Sequence, residues 1–177
     1  MSNMFFNEEE MSLVQAICSR LIPSEPNSPG AAEAHAHVYI DRALAGYFSH
    51  LQKYYRQRLQ DFNDLAVRLY GAEFVGLSPD KQDDLLHKIE LLQLSEDGEN
   101  MRIFFEVIYE HTIEGTFGDP MYGGNRDFAG WKMIGFPGAH WGYTGEQMSL
   151  GYDSSQIEVL SVSDLLQRHK EANLVRR

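Results

Sequence analysis

Three glutamates recur on one predicted helix at a spacing that could hold a metal ion. Glu106, Glu110 and Glu114 stand four residues apart and share one helix face, with His111 beside them. Di-iron bundles use such carboxylates, but they need Glu-x-x-His pairs on two helices. The two copies in this chain, one of which contains His111, are both reversed to His-x-x-Glu. A solvated or partner-facing acidic surface is the favoured interpretation, and an independent helical metal-binding enzyme using this face is the alternative.

Motifs for a nucleophile or a nucleotide do not accompany these residues. The sequence has no G-x-S-x-G, and its single cysteine, Cys18, lies on an apolar helical stripe where a buried, unreactive thiol is expected. His140 with Asp119 or Asp127 could supply a base for a hydrolase, but nothing points to an activated serine. Neither G-x-G-x-x-G nor G-x-x-x-x-G-K-[ST] occurs. We therefore predict no catalytic residue, no cofactor-binding residue and no metal ligand in this chain.

Composition and charge restrict the class of partner. The chain has 177 residues, of which 43% are hydrophobic, and this suits one globular domain. Its net charge of -11 argues against nucleic acid as a partner, because phosphate binding needs clustered Lys and Arg.

No apolar run approaches the roughly 18 residues of a membrane-spanning helix. The N-terminus shows no secretion signal, so a cytoplasmic location is expected. The alternative is the periplasm, reached with an exported partner or after removal of a signal.

Apolar periodicity predicts an all-α protein of five or six helices with one long ordered loop. Two starts carry capping signals: Asn7 with Glu10 at capping-box spacing, and Ser78-Pro79 followed by an acid. Strand patterns are weak, and residues 157–162 are the one candidate. The predicted helices span about 8–22, 31–46, 51–70, 79–94, 100–114 and 163–173.

A glycine- and aromatic-rich segment runs from Glu114 to Gln147. It contains nine of the 15 glycines and both tryptophans, and it has no helical or strand period. Glycine and proline at this density set the backbone direction residue by residue, whereas a flexible linker would be poor in aromatics. We predict an ordered binding surface, because aromatics with Met and Arg are enriched in interface cores. The alternative is a loop that folds back to complete the helical core.

The chain, residues 1–177, is accordingly predicted to be a single helical domain in three parts. A helical scaffold spans 7–114, and a structured interaction loop spans 115–148. A C-terminal extension with a short helix spans 149–177.

Two strings within the glycine- and aromatic-rich segment are long and unusual. Gly115-Thr-Phe-Gly-Asp-Pro-Met-Tyr-Gly-Gly-Asn125 is followed by Gly130-Trp-Lys-Met-Ile-Gly-Phe-Pro-Gly138. Arg20-Leu-Ile-Pro23, Pro29-Gly30-Ala31 and Ile40-Asp41 precede them. Through these strings the chain resembles, over roughly residues 10 to 145, the gluconate 2-dehydrogenase subunit 3 family. This is the small subunit of membrane-associated gluconate 2-dehydrogenase and of related flavin-dependent fructose, glucose and glucoside dehydrogenases.

The resemblance implies an accessory subunit that is not itself the catalyst. Family members pair with a large flavoprotein of the glucose–methanol–choline (GMC) oxidoreductase class, which holds FAD and oxidises a sugar. A cytochrome c subunit often takes the electrons. The small subunit supports maturation and stability of the large one, and in many relatives a twin-arginine signal lets it carry the large subunit across the membrane. This chain shows no such signal, so the resemblance is compatible with a cytoplasmic complex.

Under this resemblance, residues 115–143 are predicted to dock on the flavoprotein. Tyr122, Trp131, Phe136 and Trp141 are the expected aromatic anchors. Asn125 and Arg126 are expected either to hydrogen-bond across the interface or to brace the loop. The full predicted contact set is Phe117, Asp119, Pro120, Tyr122, Gly123, Gly124, Asn125, Arg126, Trp131, Ile134, Phe136, Pro137 and Trp141.

Overall fold

The computed structural model describes residues 3–94 and 98–174. These ranges contain seven α-helices and no β-strand, so the all-α prediction is confirmed. The count exceeds the predicted five or six, because a short helix forms inside the stretch predicted as a loop. Residues 95–97, between the fourth and fifth predicted helices, lie outside the described part. No helix in the described ranges combines the length and apolarity that crossing a bilayer requires. The helices are α1 (Glu8–Leu21), α2 (Ala36–Ala45), α3 (Gln52–Tyr70), α4 (Pro79–Glu90), α5 (Gly98–Phe117), α6 (Ala129–Ile134) and α7 (Val162–Leu174).

Helix α1 begins at the predicted capping box. The Asn7 side chain accepts the Glu10 amide at 2.8 Å, and the Glu10 carboxylate accepts the Asn7 amide at 2.9 Å. The helix ends at Leu21, two residues before Pro23. Cys18 lies on the buried face of α1, and its burial raises the pKa of the thiol to about 12. The cysteine is therefore held as an unreactive thiol.

Helix α2 starts later than predicted. Residues 31–35 form turns, and the helix begins at Ala36. The Ala34 carbonyl accepts the Arg126 amide at 3.0 Å, and His35 takes a left-handed φ of 57°. A contact from far along the chain therefore overrides the local helix preference of alanine.

Helices α4 and α5 differ from the prediction at their C-terminal ends. Helix α4 stops at Glu90, four residues early, and Leu92 beyond it has a left-handed φ of 53°. Helix α5 continues to Phe117, three residues further than predicted. Gly115 permits this extension beside α2, because a Cβ there would lie 2.9 Å from the Ala36 Cα.

Helix α5 forms the centre of the bundle and contacts α1, α2, α3 and α4. Its Phe104 and Ile108 face the core, together with Tyr55 of α3. This packing fixes the C-terminal end of α5, from which the glycine- and aromatic-rich segment departs. The largest fully buried apolar side chains are Tyr55, Phe74, Phe104, Ile17, Ile40, Leu44, Leu85, Ile89 and Ile108.

Candidate functional site

The acidic face of α5 is separated from the histidine that was considered with it. His111 is buried, and its Nδ1 lies 2.6 Å from the Tyr55 hydroxyl. Burial lowers the pKa of His111. Glu106 is exposed, and Glu114 accepts the Tyr39 hydroxyl at 2.7 Å. In the described ranges no three His, Cys, Asp or Glu side chains are grouped to hold a metal ion. The residues named for the metal-enzyme alternative are therefore divided between a buried histidine and an exposed acidic face.

The side chains considered for a hydrolase are engaged in separate places. His140 Nε2 lies 3.1 Å from the carbonyl oxygens of both Pro137 and Glu158. Asp119 accepts two backbone amides, and Asp127 is exposed. His140 and Asp119 thus contact backbone groups of the local fold, whereas Asp127 pairs with Arg126 at the surface.

Asn125 lies at the centre of the predicted interaction loop and is fully buried. Its backbone amide donates to the Gly115 carbonyl at 2.7 Å. Its Nδ2 donates to the Gly118 carbonyl at 2.8 Å, and its Oδ1 accepts the Gly130 amide at 2.9 Å. One residue therefore joins the end of α5 to the start of α6. Of the two roles predicted for Asn125, the structure gives it the bracing one within this chain.

Close backbone contacts explain two of the glycines in this loop. A Cβ on Gly124 would lie 2.0 Å from the Gly115 carbonyl oxygen. A Cβ on Gly130 would lie 2.0 Å from the Thr116 carbonyl oxygen. Any side chain at either position would push the loop away from α5. The loop is therefore a packed structure whose shape is set before any partner arrives.

Trp131 lies inside the protein, although it was predicted as an anchor. It is 4% exposed, and its indole N–H donates to the Phe117 carbonyl at 2.6 Å. The ring stacks on Phe128 and meets Phe136 edge-on, with centroids 5.6 and 5.2 Å apart. The expectation of an exposed anchor is corrected at this position. The ring instead fastens the short helix α6 to the end of α5.

Asp119 connects the loop to the C-terminal extension. Its Oδ1 accepts the Met121 amide at 2.9 Å, and its Oδ2 accepts the Val162 amide at 2.8 Å. Leu160, in the weak strand candidate, forms a single parallel bridge with Gly138. These contacts, together with the His140 contact to the Glu158 carbonyl, attach the extension to the loop.

We call residues 115–130, which the Asn125 bonds hold together, the braced loop. An exposed apolar groove of about 710 Å³ lies beside it, and we call this the Tyr122 groove. Tyr122 is 58% exposed, and Tyr47, just after α2, is 85% exposed. The Arg42 side chain packs over Gly123, where a Cβ would come within 2.5 Å of its Cδ. The groove therefore combines the loop with the end of α2. Its lining residues are Met4, Tyr39, Arg42, Ala43, Tyr47, Phe48, Met121 and Tyr122.

Sequence reasoning placed Tyr122 in the binding surface but missed most of this lining. Met4 precedes α1, and Tyr47 and Phe48 follow α2, so all three are distant from the loop in sequence. One local signal was present. The adjacent pair Tyr47-Phe48 comes after the small residues that end α2, where a helical core stripe would already have stopped.

The other exposed residues of the predicted contact set lie outside the Tyr122 groove lining. Ile134, Phe136 and Trp141 are exposed, and Trp141 meets His169 of α7 edge-on at 5.9 Å. Arg126 is exposed, and its guanidinium lies 3.2 Å from the ring of His35. The predicted set thus contains exposed, half-buried and buried members. The half-buried members are Phe117, Asp119, Pro120, Gly123 and Pro137, and the buried ones are Gly124, Asn125 and Trp131.

Comparison with known protein families gives a match over most of the chain. The family model described as Gluconate 2-dehydrogenase subunit 3 matches residues 8–138. The chain belongs to the gluconate 2-dehydrogenase subunit 3 family. The resemblance found in the sequence strings is therefore confirmed. The search of curated proteins and the search of solved structures gave no match.

Members of the gluconate 2-dehydrogenase subunit 3 family are subunits of a multi-subunit oxidoreductase complex. Membership of this family is consistent with an accessory role for the chain. The subunit 3 match spans α1 to α6, including the braced loop and most of the Tyr122 groove. Met4 lies before the matched residues. Trp141 and α7 lie after them.

Proposed function

We propose that this chain is the non-catalytic small subunit of a flavin-dependent sugar or glycoside dehydrogenase complex. In this proposal it binds and stabilises the large, FAD-containing catalytic subunit of the GMC class. The observation that carries the proposal is the Tyr122 groove, an exposed apolar surface built on a rigid loop. The family match supports a multi-subunit dehydrogenase as the setting.

The chemistry of the Tyr122 groove suits a protein partner. Tyrosine and methionine are enriched in interface cores, and four exposed side chains of these types line the groove: Met4, Tyr47, Met121 and Tyr122. An exposed cluster of this kind leaves apolar area in water that a partner can cover. Asp119 accepts the Met121 amide, and Asn125 bonds the loop to Gly118 on one side and to Gly130 on the other, so little loop ordering remains to oppose association.

A stabilising role for the small subunit follows from mass action. A protein that binds only the folded form of its partner raises the free energy of unfolding of that partner. In the proposed maturation role, the small subunit stabilises the large subunit in this way while the large subunit folds and takes up FAD. FAD and the oxidation of the CH–OH group are assigned to the large subunit, and a cytochrome c subunit is proposed as a further component of the complex.

Co-expression with the flavoprotein tests the docking surface. Tyr122→Ala and Tyr47→Ala should each reduce the fraction of large subunit that co-purifies, with a rise in Kd of about tenfold or more for a central contact. Tyr109→Ala is the matched control, because Tyr109 is exposed on α5 and does not line the groove. Circular dichroism should show that all three variants remain helical. Full recovery of the large subunit with both groove variants would contradict the assignment of this surface.

The isolated chain distinguishes this proposal from an independent metal-binding enzyme. We expect no stoichiometric metal, no flavin absorbance and no dye-linked sugar oxidation from the chain alone. Adding the large subunit with FAD should supply the flavin spectrum and the oxidation together. Oxidation of sugar by the chain alone would refute an accessory role.

A further inference from the structure

The N-terminal residues 4–6 are tied to the bundle by one buried carboxylate. Asp41 of α2 is 2% exposed. Its Oδ2 accepts the Met4 amide at 2.7 Å, and its Oδ1 accepts the amides of Phe5 and Phe6 at 2.9 and 2.8 Å. Three consecutive backbone donors thus converge on one side chain. We call residues 4–6 the N-terminal strap.

Aromatic contacts hold the rest of the strap. Phe6 is buried in the main core beside Tyr55, with ring centroids 6.2 Å apart. Phe5 packs on Phe6 and lies under the Arg56 guanidinium, 4.8 Å from the ring centroid. Arg56 also donates to the Phe5 carbonyl at 3.2 Å. The strap therefore has a buried apolar end, Phe6, and a polar attachment at Asp41.

Met4 is the strap residue that faces the solvent, at 65% exposed. It lines the Tyr122 groove together with Tyr47 and Tyr122. Its side chain is free to adapt, because methionine is unbranched and flexible. The Met4 backbone cannot move in the same way, because the Met4 amide donates a hydrogen bond to Asp41.

We propose that Asp41 is a positioning residue for partner binding, and that the strap it holds completes the Tyr122 groove for the large catalytic subunit. The inference rests on the proposed function, because it takes that subunit as the occupant. The groove accepts an apolar segment of the large subunit at full affinity only while Met4 is held at the groove edge. Release of the strap removes Met4 from the groove lining.

The chemistry of the attachment makes Asp41→Asn the informative change. A carboxylate is acceptor-only and can receive all three amides, whereas asparagine replaces one of the two acceptor oxygens with an NH2 group that faces a backbone donor. The substitution preserves size and leaves Phe6 able to pack. Met4→Ala is the complementary change, because it removes the groove contact and leaves the attachment intact.

The test measures strap release and partner affinity separately, in the full chain. Hydrogen exchange of a peptide spanning residues 1–10 reports the strap, and titration with the purified, FAD-loaded large subunit reports the affinity. For Asp41→Asn we expect exchange at least tenfold faster, an unchanged helical circular dichroism spectrum and a Kd at least tenfold higher. For Met4→Ala we expect unchanged exchange and a Kd three- to tenfold higher. Asp64→Asn, an exposed position on α3, is the matched control and should stay within twofold of the wild-type chain in both measurements.

Two outcomes separate this inference from the proposed function. If Asp41→Asn frees the strap while its Kd stays within twofold of wild type, the strap proposal is wrong and the proposed function stands. If the wild-type chain does not bind the large subunit, the proposed function fails and this inference fails with it. Should Asp41→Asn not fold, Met4→Ala decides alone, and a Kd within twofold of wild type overturns the proposal.

Discussion

The indole N–H of Trp131 donates to the carbonyl oxygen of Phe117 at 2.6 Å, which ties α6 to the last residue of α5. Trp131→Phe should remove this bond and some volume while keeping a ring in place, at a cost of about 2 kcal/mol. Trp131→Ala should cost about 3 to 5 kcal/mol. Urea unfolding measures both. Trp141→Phe, at an exposed tryptophan, should change the free energy of unfolding by less than about 0.5 kcal/mol. A stability for Trp131→Ala equal to wild type would contradict a structural role for the ring.

Asn125 combines a left-handed backbone with two side-chain bonds, and two substitutions separate these contributions. Asn125→Gly keeps the freedom to hold the φ of 45° but loses the bonds to Gly118 and Gly130. We expect a cost of about 2 kcal/mol. Asn125→Ala should cost about 1 kcal/mol more, because its Cβ disfavours that backbone. Chemical denaturation of both variants checks this order, and an alanine variant more stable than the glycine variant would contradict it.

Gly124 should tolerate no side chain. A Cβ would lie 2.0 Å from the Gly115 carbonyl oxygen, a contact with backbone that cannot rotate away. We expect Gly124→Ala to cost about 3 kcal/mol or more, the upper range for overpacking, and to lower Tm accordingly. Gly142→Ala is the control, since nothing lies within 4 Å of its Cβ position. Equal Tm values for the two variants would show that the loop does not pack on α5 as described.

Buried histidines should make the protein less stable as the pH falls below about 6.5. Burial, with His35 nearby, lowers the pKa of His37 to about 4, against a smaller opposing effect of Asp41. Burial also lowers the pKa of His111. The unfolded chain binds these protons first, so the stability contributed by neutral His37 is complete above 6.5 and is lost as the pH falls toward 4.

The pH dependence can be measured as the free energy of unfolding in urea at pH 7.5, 6.5, 5.5 and 5.0. We expect His37 to account for a loss of about 2 kcal/mol across this range. His37→Gln should be less stable at pH 7.5 and should show a shallower dependence on pH. A slope identical to that of the wild-type chain would exclude His37 as a source of the effect.

Local signals in the sequence were sufficient to predict much of the helical scaffold. Helix α1 follows from the capping box at Asn7 and Glu10, whose two bonds both form. Helix α3 follows from its apolar stripe, and α4 starts at the predicted Pro79. These features depend on residues within a few positions of one another. The late start of α2 was not predictable in this way, because it depends on the Arg126 amide reaching the Ala34 carbonyl.

The sequence predicted which segment carries the candidate site, but not which side chains form its exposed surface. The density of glycine and aromatics predicted that the segment from Glu114 to Gln147 is ordered. Because the segment has no period, the sequence could not tell that Trp131 turns inward while Tyr122 turns outward. Met4 and Tyr47 join Tyr122 only after α1 and α2 have packed on α5, so no local pattern connects them.

The two carboxylate oxygens of Asp119 link two parts of the chain that are distant in sequence. One holds the turn that leads into Tyr122, and the other holds the first amide of α7. A displacement of that turn must therefore either pull on the C-terminal helix or break one of the two bonds. A spectroscopic label on α7 would consequently report any displacement of that turn from a position outside the groove lining.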